Sequence, residues 1–400
     1  MAALSAEERE EFVALLLKRE YPPPFVGGAR NYYHELLRRQ RHGRFVVLTG
    51  IGGVDDAAFD AAQPYRIERR RYARLIRLRG YPGFAVHLLR WLADTIRILH
   101  GKRGVLLLGQ MEWFAAFGPI VRSLIGAPYV IFLVGEELTK LAATRTIASR
   151  WLRLLTRRSL AGASAVIVIS RFTREIALGF GASAERLFVV HPGVDAERFR
   201  PDPAKINSAD PPRLLSVGRL VERKGIDTAL AAFRELVESF PGIVYEIVGE
   251  GPDRSRLEAL AQDLGVAESV HFLGRIAAAE LPLVYRRADV FLLPNRELPN
   301  ADTEGFGMVF LEAAASGVPA IAGRAGGVGD SVLHGETGLQ VDPASPPAVA
   351  EAVTRLLRDG ATWRRMREQA HARAAQEFSW DRAAAELTSI LESVRAEGAG

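Results

Sequence analysis

Two glutamates eight positions apart, Glu304 and Glu312, bracket the stretch EGFGMVFLE, in which Gly305 and Gly307 leave backbone amides open just where an apolar helical run begins. Amides at a helix start attract anions. Glu304 then sits in the loop and Glu312 about two turns into the helix, from where it can reach back toward the same ligand. One carboxylate can grip sugar hydroxyls and the other ribose hydroxyls. Taken singly, each is explained as well by an acid favouring a helix dipole or by an ordinary helical Glu.

Upstream, VGRLVERKG sets Gly218 and Arg219 just after an apolar run, Lys224 five positions on, and Gly225 at the opening of the next helix. In an α/β sheet, ligands bind outside the carboxyl ends of strands, so two cations there can neutralise a diphosphate and the charge it develops on leaving. A pair of solvated surface cations is the alternative. Gly27-Gly28 follows Tyr21 to Phe25 and precedes a helix, so its amides can approach a phosphate or a sugar; a plain tight turn explains it equally. Gly326-Gly327 reads the same two ways.

These residues need elements to hold them. Short β-branched and leucine-rich runs alternate with amphipathic stretches of helical period, the pattern of parallel sheets covered by helices on both faces. Strands are predicted at Phe12–Leu17, Phe45–Thr49, Val105–Leu108, Tyr129–Leu133, Ala165–Ile169 and Leu187–Val190, then at Leu214–Val217, Val244–Val248, Val270–Leu273, Val290–Leu293, Pro319–Ala322 and Leu339–Val341. Between the two sets, RPDPAKINSADPP carries four prolines and reads as an interdomain linker. A last helix is predicted from Ser379 to Val394.

Four hundred residues exceed what one core holds, since single cores stop growing at roughly 250 to 300 residues. At 48% hydrophobic and 25% charged residues the chain is ordinary and globular, and without cysteine it has neither disulfides nor thiolate zinc sites. The N-terminus, with four Glu before its first apolar run, is the reverse of an export signal, and no apolar run approaches the 18 or so residues of a membrane span. The cytoplasm is the expected location. Within the net charge of +5, seven Arg lie between Arg66 and Arg79 with Ile67, Leu75, Ile76 and Leu78 among them. That segment is read first as a solvated helix face and second as a contact for an anionic membrane, which would put the chain at the membrane's inner face. Nucleic acid is not an expected partner, for there are no interleaved aromatics and no finger or RNA-recognition signature.

In order, PPFVGGARNYYHELL, VISRFTREIALGFG, HPGVDAERFRP, VGRLVERKG, the run from Glu304 to Glu312 with AAASGVPAIA after it, GGVGDSVLHGETGLQVDP and the FSW ending at Trp380 resemble the retaining GT-B glycosyltransferases of glycosyltransferase family four over nearly the whole chain. The resemblance implies an α/β protein of two Rossmann-like, doubly wound domains facing a central cleft. It implies an N-terminal acceptor-side domain at 1–199, a linker at 200–212, a nucleotide-sugar-binding domain at 213–378, and a helix at 379–400 crossing back to the first domain. Carried over, Arg219 and Lys224 match the diphosphate-binding pair, with Gly218 beside them. Glu304 matches the residue holding the donor-sugar hydroxyls. Gly305, Phe306 and Gly307 supply backbone contacts, Glu312 matches the ribose ligand, and Gly27 and Gly28 match the loop near the phosphates.

The implied reaction moves a hexosyl unit from a GDP- or UDP-sugar to a saccharide or lipid-linked acceptor, in polysaccharide or glycolipid synthesis. It proceeds with retention, with no cofactor beyond the donor, no metal and no obligatory protein base. ADTEGFG around Asp302, with Gly326-Gly327 following, resembles the mannosyltransferases of the family and favours GDP-mannose without fixing the base. Two departures stand out. Where many relatives carry His before Gly after the fourth strand, this chain reads FLVGEEL, with Val134 and then Glu136 and Glu137, either of which can orient acceptor or sugar or equally stand as a solvated loop carboxylate. The second position usually bearing His reads Gly109-Gln110-Met111. A non-catalytic nucleotide-sugar-binding subunit and a sugar-nucleotide epimerase on the same fold are the alternatives.

Overall fold

The computed structural model describes residues 12–23, 28–40, 44–51, 56–71, 84–134, 137–144, 146–203 and 211–398. The chain forms two compact units, one of Met1–His191 with Trp380–Gly400 and the other of Pro192–Ser379. The change of unit falls between His191 and Pro192, ahead of the proline-rich segment.

The first unit is built on seven parallel strands: β1 (Val13–Leu17), β2 (Arg44–Gly50), β3 (Arg66–Arg70), β4 (Gly104–Leu108), β5 (Tyr129–Leu133), β6 (Ala165–Val168) and β7 (Leu187–Val189), in the order β3-β2-β1-β4-β5-β6-β7. Strands β1, β4 and β5 are buried at every position, as strands covered by helices on both faces must be, and so they read as unbroken apolar runs. Leu15 lies opposite Val46 on one side and Leu106 on the other. Helix Trp380–Gly398 belongs to this unit, where Trp380 meets the Tyr32 ring and the Thr388 hydroxyl donates to Gln40 Oε1 at 2.8 Å.

Strand β3 is a correction. The arginine-rich segment is predicted as a solvated helix face, but Arg66–Arg70 forms an edge strand whose cations are engaged. Arg69, only 7% exposed at its side chain, donates to both carboxylate oxygens of Asp60 at 2.8 Å, and Arg70 Nε donates to Asp94 at 2.8 Å. Neither is an exposed cation offered to a membrane; Arg74, Arg77 and Arg79 lie outside the described residues.

The second unit is built on six parallel strands: β8 (Arg213–Val217), β9 (Val244–Val248), β10 (Val270–Gly274), β11 (Val290–Leu293), β12 (Ala320–Gly323) and β13 (Gly338–Val341), in the order β10-β9-β8-β11-β12-β13. The winding reverses between β8 and β11. A doubly wound sheet opens its ligand crevice at that switch point, outside the carboxyl ends of the two strands. The loops leaving β8 and β11 carry Arg219 to Lys224 and Asp302 to Gly307.

Candidate active site

Beyond β8 the chain makes a single 3₁₀ turn, Glu222–Lys224, and Gly225 ends it with φ +67° before helix Ile226–Ser239 begins. A Cβ on Gly225 would lie 2.0 Å from the Pro294 carbonyl oxygen, so the turn seats directly on the exit of β11. Two further ties hold it there. The Arg296 amide donates to the Arg223 carbonyl at 2.8 Å, and the Arg296 guanidinium grips both oxygens of Asp227, each at 2.9 Å. Burial by itself would raise the Asp227 pKa, but the Arg296 pairing outweighs it and the carboxyl titrates below its usual range.

This scaffold brings together charges far apart in sequence. Lys224 Nζ stands 2.5 Å from Glu304 Oε2, and Arg223 Nη1 donates to the same oxygen at 2.9 Å. Arg223 Nε reaches Asp302 at 3.2 Å. The Glu304 carboxyl is largely withdrawn from solvent, which opposes ionisation, but Lys224 and then Arg223 more than offset that and hold its pKa below normal. Glu304 is therefore an anion at neutral pH, and its Oε1 accepts no hydrogen bond from the described residues. Ala301, with φ +59°, is the one non-glycine residue of positive φ among the described residues, and it turns the backbone just before Asp302. Strain of this kind gathers at ligand-binding loops.

The backbone of Glu304 is clamped from the loop after β12. The Gly327 amide donates to the Glu304 carbonyl at 2.8 Å. Gly326, at φ +55°, lies so close that a Cβ there would sit 2.1 Å from the same oxygen. The pair that reads ambiguously in sequence is thus part of the support of Glu304. Gly305 follows, partly buried. Phe306 turns its ring into the core, edge-on to Phe378, while its carbonyl accepts from the Ser331 hydroxyl at 2.8 Å. Gly307 is the N-cap of helix Met308–Ala315, which carries Glu312.

Glu312 does not contact Glu304. Its Oε2 accepts from the Tyr285 hydroxyl at 2.8 Å, and burial pushes its pKa up to about 7, although Tyr285 and Arg198 both act to lower it. A carboxyl raised in the folded state costs stability as pH climbs from its ordinary 4.5 to about 7, because deprotonation is easier in the unfolded chain. Glu312→Gln is accordingly expected to stabilise the ligand-free protein by about 1–3 kcal/mol once the pH exceeds the raised value. Urea denaturation on both sides of the window checks this; an identical pH dependence in the variant rules out Glu312 as its source.

Arg219 is exposed and pairs with nothing among the described residues, one position beyond Gly218, along which the Lys224 stem lies. Of the residues expected from sequence, the structure thus brings Lys224 against Glu304, with the 305–307 backbone following, and leaves Arg219 exposed beside Gly218, while Arg223 was not among those expected. Its signal was only adjacency to Lys224. Arg296, Asp227 and Tyr285 carried none.

In the first unit, Gly28 opens helix Gly28–Leu37 and is exposed, and Gly27 lies outside the described residues. Glu137 begins helix Glu137–Ala143, but its side chain and all of Glu136 lie outside them too. The Gly109 carbonyl accepts from Lys18 Nζ at 2.7 Å and from the Tyr33 hydroxyl at 2.9 Å. Buried Lys18 also lies 4.8 Å from the Tyr33 ring centre. Among the described residues no group of three or more His, Asp or Glu is arranged to hold a metal ion.

Comparison with known proteins bears on what such a site does. The family described as Glycosyltransferase Family 4 matches residues 26–198, and that described as Glycosyl transferases group 1 matches residues 199–373. The GDP-mannose-dependent alpha-(1-6)-phosphatidylinositol monomannoside mannosyltransferase of Mycobacterium tuberculosis is 34% identical across 94% of this chain and 97% of its own. The protein of the same name from Mycolicibacterium smegmatis is 37% identical across 95% and 98%. Among solved structures, Anabaena Alr3699/HepE in complex with UDP and glucose superposes with a TM-score of 0.74 at 21% identity, covering 95% of this chain and 99% of that one. Sucrose-phosphate synthase from Thermosynechococcus elongatus does so with a TM-score of 0.77 at 22% identity, covering 97% and 100%. Two parallel Rossmann-like sheets and these neighbours identify the fold as GT-B.

Proposed function

The chain belongs to glycosyltransferase family four and is a glycosyltransferase, and from that premise we propose that it moves a mannosyl unit from GDP-mannose to a lipid-linked acceptor, with retention and without a metal. The observation that carries the reading is the convergence of Lys224 and Arg223 on one oxygen of Glu304 at the switch point of the second sheet. The relatives' names supply the sugar and the class of acceptor.

In this reading the donor diphosphate lies against Lys224 and Arg219. Both are cations before the reaction and need no rearrangement as the leaving diphosphate gains charge. Glu304, kept ionised by its two neighbours, offers Oε1 to the hydroxyls of the donor sugar, and the amides from Gly305 to Gly307 line the adjoining backbone. Glu312 receives the ribose hydroxyls. The bond from the anomeric carbon to the diphosphate oxygen breaks, and the bond to the acceptor oxygen forms on the same face. The acceptor's proton passes to the departing phosphate, so no protein base is required.

Thermal denaturation against GDP-mannose, GDP-glucose, UDP-glucose and UDP-galactose tests the donor. A GDP-sugar at about a hundred times its dissociation constant is expected to add about 2.7 kcal/mol. Transfer from that donor to phosphatidylinositol mannoside then tests the acceptor. Stabilisation by UDP-sugars alone would overturn the base assignment, and no shift with any nucleotide sugar would remove the donor site.

A further inference from the structure

Helix Ile147–Gly162 of the first unit packs Leu152 and Leu160 on the core, yet it also buries three hydroxyls and turns large apolar side chains to solvent. Its inward side carries Ser149, Thr156 and Ser159, all buried, and the hydroxyls of Thr156 and Ser159 hydrogen-bond nothing among the described residues. Its outward side carries Trp151, 64% exposed, with Leu154 and Leu155, each 40% exposed. Together with Arg158 these occupy positions i, i+3, i+4 and i+7, a single stripe along the helix.

The stripe has a neighbour. Helix Phe117–Ile125 packs alongside, joined where Arg122 Nη1 donates to the Gly162 carbonyl at 2.9 Å, and it too turns apolar side chains outward, Ile120 and Leu124 one turn apart. Isolated surface leucines need no explanation, but two adjoining helices with outward apolar side chains do.

Charge identifies what covers this face. Helix Ile147–Gly162 contains Arg150, Arg153, Arg157 and Arg158 and neither Asp nor Glu, and helix Phe117–Ile125 contains Arg122 and no acid. Arg150, Arg157 and Arg158 are exposed and have no ion-pair partner among the described residues, unlike Arg69 and Arg70. An outward Trp and two Leu flanked by unpaired Arg is the composition of a helix lying in a bilayer interface, its apolar side among the acyl chains and its guanidinium groups at anionic headgroups. We propose that this face docks the protein on an anionic lipid surface. The inference rests on the surface itself and holds whether or not the acceptor is a lipid.

Cosedimentation of the full chain with vesicles of phosphatidylcholine alone, and of phosphatidylcholine with phosphatidylglycerol, tests it. The protein is expected to bind the second kind and to be released by salt. The variant Trp151→Gln/Leu154→Gln/Leu155→Gln is expected to lose roughly tenfold or more of that binding. A second variant, Arg150→Gln/Arg157→Gln/Arg158→Gln, is expected to lose roughly a hundredfold, because each basic residue near a charged surface contributes about a fivefold factor. Equal binding to neutral vesicles, or undiminished binding by the apolar variant, would overturn the proposal. So would a dimer that the apolar variant converts to monomer while neither protein binds vesicles, which would assign the face to a second copy. Both variants should retain the wild-type thermal shift with GDP-sugar, so a failure of membrane docking is distinguishable from a failure of the donor site.

Discussion

Replacing Lys224 by alanine is expected to lower kcat/KM by roughly a hundredfold or more, since truncating one member of a desolvated charge pair costs about 2–5 kcal/mol and each 1.36 kcal/mol is tenfold. Lys224 is 7% exposed, and its ammonium sits 2.5 Å from Glu304. Its removal takes a fixed cation from the proposed diphosphate position and the first of the two cations that keep Glu304 ionised. The fold should survive, because Arg223 still reaches Glu304 Oε2 at 2.9 Å. The stability loss is expected to be about 1–3 kcal/mol, the range for a charged hydrogen bond. The double variant Lys224→Ala/Glu304→Ala separates the two roles: stability should recover part of the loss while activity does not, because the pair is coupled in folding. Arg219→Ala gives the contrast, with weaker donor binding and an unchanged melting temperature, as its side chain is exposed and unpaired among the described residues. Wild-type kinetics in both single variants would sink the diphosphate assignment.

Gly326→Ala is expected to destabilise the second unit by about 3 kcal/mol or more and to weaken donor binding with it. Two effects add. At φ +55° any residue with a Cβ is strained by about 1–2 kcal/mol. The added carbon would also stand 2.1 Å from the Glu304 carbonyl and 2.8 Å from Thr303 Oγ1, a distance only backbone movement can relieve. That movement disturbs the hydrogen bond that the Gly327 N–H donates to the Glu304 carbonyl and shifts the carboxylate relative to Lys224. Denaturant titration and GDP-sugar binding read the two consequences separately. A variant with wild-type stability and affinity would show that the Glu304 loop relaxes freely and that the clamp has no role. Gly335→Ala serves as a control for the backbone effect alone, since Gly335 has φ +84° but nothing near its Cβ position.

The alternation of strands and helices was legible because parallel strands buried on both faces must be apolar throughout, and VALLL, GVLLL and YVIFL state that directly. The strand RIERR was not, because an edge strand can remain polar and its arginines resemble a solvated helix until Asp60 and Asp94 are seen beside them. Lys224 and Glu304 were legible singly, as cation and carboxylate at strand exits. Their pairing was not, because eighty residues separate them. Arg223 was passed over for the same reason.

By itself the sequence determined the class of fold, the positions at which loops leave the strands, and the residue types those loops carry, because periodicity and turn chemistry are local properties of a chain. Only the tertiary structure decided which charges are spent and which are free. It placed Arg69 between two aspartates and left Arg219 exposed, brought Gly326 against the Glu304 carbonyl, and turned Trp151, Leu154 and Leu155 outward while Ser149, Thr156 and Ser159 face inward. A charge is neutralised, and a helix face covered, by whatever is near in space, and the order of residues along the chain does not specify that distance.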